Sequence, residues 1–237
     1  MNNIVTIAWK ETRSYFASPM AYLVSAAFLA VSGVFFVRSL GDPAAAAEIK
    51  GFLDIGGLLL LFVAPALTMR LLAEEQKLGT MELLLTAPVH DHEVVLGKFF
   101  AGLLMLGLIF ALSLYYPLVL FIFATPDPGP ILSGYIGILL LGGASVAIGL
   151  FASSLTANQI VSAVVATAIL SLFWFLGNAA DVVGGTPAQA LNFVTTTSHF
   201  TPFRQGLIDF KDLIYFLSII VFFLFLSIRA LETRRWR

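Results

Sequence analysis

The stretch that decides the fold runs Ile131-Leu-Ser-Gly-Tyr-Ile-Gly-Ile-Leu-Leu-Leu-Gly-Gly-Ala-Ser-Val-Ala-Ile-Gly-Leu-Phe-Ala-Ser153, without one charged residue. A helix rising about 1.5 Å per residue needs about 20 apolar residues to cross a hydrocarbon core about 30 Å thick. Five more stretches meet that length: Met20–Leu40, Phe52–Leu72, Phe99–Phe123, Ile160–Ala180 and Leu213–Ala230. Together the six take over half of the 237 residues. The reading is an all-α membrane protein in which 1–237 forms a single transmembrane domain.

Composition agrees. Only 11% of the residues are charged and 59% are hydrophobic, against about 25% charged in a soluble domain, so a water-facing enzyme is excluded. Thirteen Lys and Arg against fourteen Asp and Glu leave no cationic excess for nucleic acid. There is no cysteine for a disulfide, a thiol nucleophile or a thiolate metal site. The first apolar run is longer than a signal-peptide core, so the amino terminus is expected to be retained.

Orientation follows from the basic residues. With both termini cytoplasmic, that side holds Lys10, Arg13, Arg70, Lys77, Lys98, Arg229, Arg234, Arg235 and Arg237, and the other holds only Arg38, Lys50, Arg204 and Lys211. The longest cytoplasmic segment is then 73–98, and the longest outer one is 181–212.

Residues Asn3 to Ala17, ahead of Ser18-Pro19, read as an interfacial helix within 1–19. Ile4, Val5, Ala8, Trp9, Thr12, Tyr15 and Phe16 form one face; Asn3, Thr6, Lys10, Arg13 and Ser14 form the other. The helix serves as a surface anchor, or its polar face, with Lys10 and Arg13, also meets a cytoplasmic partner.

In the 73–98 segment, Gly79 breaks the extension of the second span and Thr80 can cap a short helix carrying Met81, Leu83, Leu84 and Leu85 until Pro88. That apolar helix is too short to span and needs cover, either from the protein's own spans or from a partner.

The run Glu74-Glu-Gln-Lys-Leu-Gly-Thr-Met-Glu-Leu-Leu-Leu-Thr-Ala-Pro-Val89, with Val94-Val-Leu-Gly-Lys98 after it, resembles the first cytoplasmic loop of ABC exporter permeases of the type 2 membrane family. Within that family it is most like the gliding-motility (Gld) and nitrous-oxide-reductase maturation branches. The surface helix, the six spans and the ending Arg234-Arg235-Trp236 fit the same family.

The resemblance implies a coupling helix, from Gly79, Thr80 and Glu82 through Leu83, Leu84 and Leu85, seated in a groove of a separate ATP-binding cassette subunit. Glu74 and Glu75 would add charged contacts there. It also implies a permease pair, two copies of this chain or one with a paralogue, and short outer helices between spans five and six, where Ser198–Asp212 matches. Gld-type systems also employ a membrane partner with a large extracytoplasmic domain, a point left open here. The localisation implied is a bacterial-type inner membrane.

Chemistry on the chain itself is sparse. No Gly-x-x-x-x-Gly-Lys-Ser/Thr run exists, so ATP and Mg²⁺ are expected on the partner subunit and no cofactor on this one. His92-Glu93 lacks the second His of a zinc protease helix, since position 96 is Leu. His90, Asp91, His92 and Glu93 read as a solvated loop or a loose metal site. Ser145 among Gly142, Gly143, Ala144 and Gly149 reads as a close helix contact, the alternative being an intramembrane nucleophile with His199 as base. Spans three, four and five have no charge in their middles, which speaks against an ion-coupled carrier. In span five, Ser162, Thr167, Ser171 and Asn178, with Phe173 and Trp174, line a substrate path or serve packing between helices.

Overall fold

A computed structural model describes residues 3–40, 49–80, 89–183 and 185–235. Among them the chain is helical throughout: α1 Asn3–Ala17, α2 Pro19–Leu40, α3 Lys50–Thr68, α4 Ala73–Lys77, α5 Asp91–Ser113, α6 Tyr115–Phe123, α7 Pro128–Leu155, α8 Gln159–Val183, α9 Gly185–Val194, α10 Thr196–Arg204 and α11 Phe210–Arg235. Six stretches are long and apolar enough to cross a membrane: Pro19–Leu40, Lys50–Lys77, Asp91–Phe123, Pro128–Leu155, Gln159–Ala179 and Phe210–Thr233. Each contains one of the expected spans almost whole. The expected short helix beyond Thr80, with Met81, Glu82, Leu83, Leu84 and Leu85, lies outside the described residues.

The fourth span, α7, is the hub. In its most apolar stretch 78% of the residues are buried by protein, against 17% in α8 and 22% in α11. Small residues make this approach close. A Cβ on Gly149 would fall 2.0 Å from Oγ1 of Thr68 in α3, one on Gly134 2.3 Å from Leu53, and one on Gly137 2.5 Å from Phe203 in α10. Lipid tails are as apolar as leucine, so dispersion between close backbones holds such helices together.

Buried backbone carbonyls are accounted for by side chains from neighbouring helices. Pro117 has no N–H to give the carbonyl of Ser113, and Oη of Tyr135 in α7 donates to it instead at 3.0 Å. The third span thus passes from α5 to α6 without leaving that acceptor bare in hydrocarbon. At the far end, Gly206, at φ +90°, closes α10 with Leu207 N donating to Pro202 O at 3.0 Å, a Schellman stop.

Two expectations need correction. α1 has the expected ends, but the side that packs on α5 carries Ile7, Ala8, Glu11, Thr12 and Tyr15, while Val5, Trp9 and Phe16 are exposed. The helix rests against protein on one side and turns a second apolar strip outward, because Glu11 finds a cation inside. Asp91, His92 and Glu93, expected in a solvated loop, instead open α5, eight residues before the expected third span, which lies whole within Asp91–Phe123. Glu93 accepts from the His90 N–H at 2.9 Å, and Asp91 and Glu93 place negative charge in the first turn, so the helix begins well before its apolar run.

Candidate functional site

The site grows from α4, a five-residue helix that continues the second span after a break at Met69 to Leu72. Such a helix has no stability of its own and depends on its contacts. Its N-terminal N–H groups are met from another helix. Oγ of Ser153, near the end of α7, accepts from Leu72 N and Ala73 N at 3.0 Å each and donates to Met69 O at 3.1 Å. One hydroxyl is thereby saturated, with two acceptances and one donation. Nε2 of Gln76 adds bonds to the carbonyls of Ser153 and Ser154, at 3.3 and 3.1 Å.

The opposite side of α4 is held by charge. Lys98, 1% exposed, places Nζ 2.9 Å from Oε1 of Glu75 and 2.9 Å from Oε1 of Glu11 in α1. A cation that deep persists only when paired, and here it joins α1, α4 and α5. Lys10 lies 3.9 Å from both carboxylates on the exposed side. Asn3 secures the start of α1 to Glu93 of α5 through bonds of 3.0 and 3.2 Å.

Tyr15 completes the junction. Its hydroxyl donates to Leu67 O at 2.8 Å and the Arg70 guanidinium lies 5.7 Å from its ring centre. Burial first, and the nearby Glu11 carboxylate second, push its phenol up against the opposing pull of Arg70, so the proton it donates stays in place. Between these groups opens a cleft of about 470 Å³.

Of the residues expected at a partner interface, Lys10, Glu74, Glu75 and Thr80 line this one cleft. Glu75 is turned inward to Lys98. Arg13 stands outside the cleft, 5.1 Å over the ring of Trp9. Gly79 has φ +70°, a turn that a side chain would strain, and the Thr80 hydroxyl reaches back to Glu75 O at 3.3 Å. Sequence reasoning missed Glu11, Gln76 and Ser153, and read Lys98 as cytoplasmic charge and as the end of the Val94 to Lys98 run, without a partner for it. Its place at the mouth of an apolar run was the available signal, since such a cation needs a partner.

The span-five residues do not share one face. At 100° per residue Ser162 and Phe173 point one way and Thr167, Ser171 and Asn178 another, with Trp174 between. Ser162 is buried, Trp174 meets Phe200, Phe173 meets Phe223, and Asn178 is exposed.

Ser145 donates to Leu141 O of its own helix at 2.8 Å. His199 uses Nδ1 on Asp212 at 2.6 Å and Nε2 on Phe193 O at 2.9 Å. Neither side chain is turned to the other, so the nucleophile alternative has no geometry behind it. At the same end Arg204 pairs with Asp54, and burial lowers the pull of its guanidinium on its proton.

A polar junction thus fastens the membrane bundle to the lead-in of the loop after α4. The ABC-2 type transporter family model matches residues 2–180. This chain belongs to the ABC-2 type transporter family. No curated protein matches it. As an ABC-2 protein it is a multi-pass membrane permease, the transmembrane component of an ABC transporter, and permeases of this family typically work with an ATP-binding subunit and form dimers. In this ABC-2 permease the α4 junction lies within the matched residues.

Proposed function

We propose that this permease exports its substrate with ATP hydrolysed on a separate ATP-binding cassette subunit, which bears the Mg²⁺ and nucleotide. Force enters through Gly79, Thr80, Glu82, Leu83, Leu84 and Leu85, with Lys10, Arg13 and Glu74 at the edge of the contact. It passes to α4 and from there to α1, α5 and α7 together. The observation that supports this reading is the double fastening of α4, by Lys98 on one side and Ser153 on the other: a lever bonded to three helices moves them as a unit.

We place the chain in a bacterial-type inner membrane with both termini in the cytoplasm, on the nine-to-four division of its basic residues. Its branch is the Gld and nitrous-oxide-reductase maturation group, on the run Glu74 to Val89. A second copy of the chain completes the path, with Thr167, Ser171 and Asn178 toward it and Ser162, Phe173 and Trp174 set in the packing behind. In that branch a further membrane partner with a large extracytoplasmic domain joins the complex.

The test is reconstitution with the ATPase subunit. Glu82→Arg is expected to leave the amount of folded permease unchanged and to separate ATP hydrolysis from substrate movement. Unchanged coupling in that variant overturns the assignment of the coupling helix. ATP-dependent remodelling of an outer partner with no cargo moved overturns export in favour of transmission.

A further inference from the structure

The half of α2 farthest from α1 forms, with α6, a groove of about 580 Å³. Its walls are apolar: Leu29, Gly33 and Val37 from α2, and Tyr115, Tyr116 and Val119 from α6. Gly33 lets the two helices close at the floor, since a Cβ there would lie 3.1 Å from the Tyr116 hydroxyl and 3.4 Å from that of Tyr115. The Tyr116 hydroxyl is already engaged, donating to Leu29 O at 2.6 Å and lying 3.1 Å from Oγ of Ser32, so it offers little polarity to the groove.

The groove has a definite depth. Leu29 sits at the midpoint of α2, and the nine-residue rise to Arg38 is about 14 Å, close to the thickness of one leaflet's hydrocarbon, about 15 Å. Arg38 therefore stands at headgroup level over a channel one acyl chain long. It is exposed and, among the described residues, has no carboxylate within ion-pair distance, whereas Lys98, Arg204 and Arg229 each have one. A second groove of similar size, about 600 Å³ along Ile214, Leu217, Val221 and Phe225 of α11, has Arg229 over the Phe225 ring, but that cation is already paired with Glu232.

We infer that the α2–α6 groove is a binding site for an anionic glycerophospholipid of the leaflet opposite α1, its phosphate on Arg38 and one acyl chain between Val37 and Val119. The charge at the mouth selects this occupant. An apolar helix from another protein would fill the groove but bring no anion to Arg38, and a zwitterionic lipid brings an ammonium that competes for the same phosphate.

The experiment uses the full-length permease, stripped of lipid and exposed to an equimolar mixture of phosphatidylglycerol and phosphatidylcholine, with retained lipid read by native mass spectrometry. The expected result is selective retention of phosphatidylglycerol, lowered about tenfold by Arg38→Gln, the loss of about one charge-assisted hydrogen bond. Val37→Trp, at a side chain 65% exposed and hence free of core strain, fills the groove from outside and lowers retention of the same lipid. Equal retention of both lipids by the unaltered protein, or an unchanged preference in Arg38→Gln, overturns the proposal. So does a photocrosslinker at position 37 that labels a second copy of the chain; labelled lipid supports it.

Discussion

Nζ of Lys98 lies 2.9 Å from Oε1 of Glu75, and the lysine side chain is 1% exposed. The pair spans from the third membrane helix to α4, and Glu11 closes it from α1 at the same distance. Removing only that cation leaves two carboxylates at a protein junction with just the exposed Lys10, 3.9 Å from each. Lys98→Met is therefore expected to cost about 3–5 kcal/mol, as broken buried pairs do. Thermal unfolding in detergent reads the loss. Adding Glu11→Gln and Glu75→Gln to Lys98→Met should recover much of it, and failure to recover would mean that the lysine stem, not its charge, holds the junction.

Ser153 supplies a cap from a distance of 81 residues in the chain. Ser153→Ala leaves Leu72 N and Ala73 N without that acceptor, a loss of about 0.5–2 kcal/mol. The effect should be local. Hydrogen exchange of the amides of α4 is expected to quicken while the centre of α7 stays protected, a split that global destabilisation would not produce.

Gly149 and Gly107 form a matched pair for packing. A methyl at 149 meets Thr68 Oγ1 at 2.0 Å, whereas one at 107 meets nothing within 4 Å. Gly149→Ala should destabilise by about 1–3 kcal/mol and be partly rescued by Thr68→Ala, since the Thr68 Cβ, 2.9 Å away, remains. Gly107→Ala should be neutral or stabilising by up to about 1 kcal/mol. Melting temperatures of the three variants check this.

His199 is held on both ring nitrogens, by Asp212 and by Phe193 O, with the Tyr215 ring stacked 3.8 Å away. A carbonyl only accepts, so Nε2 donates to Phe193. Asp212→Asn reverses the bond, its amide donating to an Nδ1 that no longer carries a proton, and is expected to be tolerated better than an apolar replacement. Asp212→Leu leaves Nδ1 unpaired in a buried site and should cost about 1–3 kcal/mol, seen as a lower melting temperature and faster proteolysis of residues 185–204.

Much of this architecture is legible along the chain. Six apolar runs mark six spans, Ser18-Pro19 marks the end of α1, and Gly142, Gly143, Ala144 and Gly149 mark α7 as a helix that admits close contact. These readings rest on transfer of each segment from water to lipid and on backbone preferences, which depend on local composition and nearly add along the sequence. The start of α5 escaped because its first turn is polar and is held by Glu93 and Asn3, which no apolar window detects.

What only the tertiary structure decided is partnership. That Lys98 meets Glu11, 87 positions away, that Ser153 caps α4, and that Ser162 and Thr167 look in different directions all follow from how far each helix is rotated and shifted against its neighbours. Rotation and register are set by the sum of many small contacts around α7, where Gly149 admits Thr68 and Gly137 admits Phe203. A charged or hydroxyl side chain announces in the sequence that it needs a partner inside the membrane protein; only the packed bundle brings one within 3 Å.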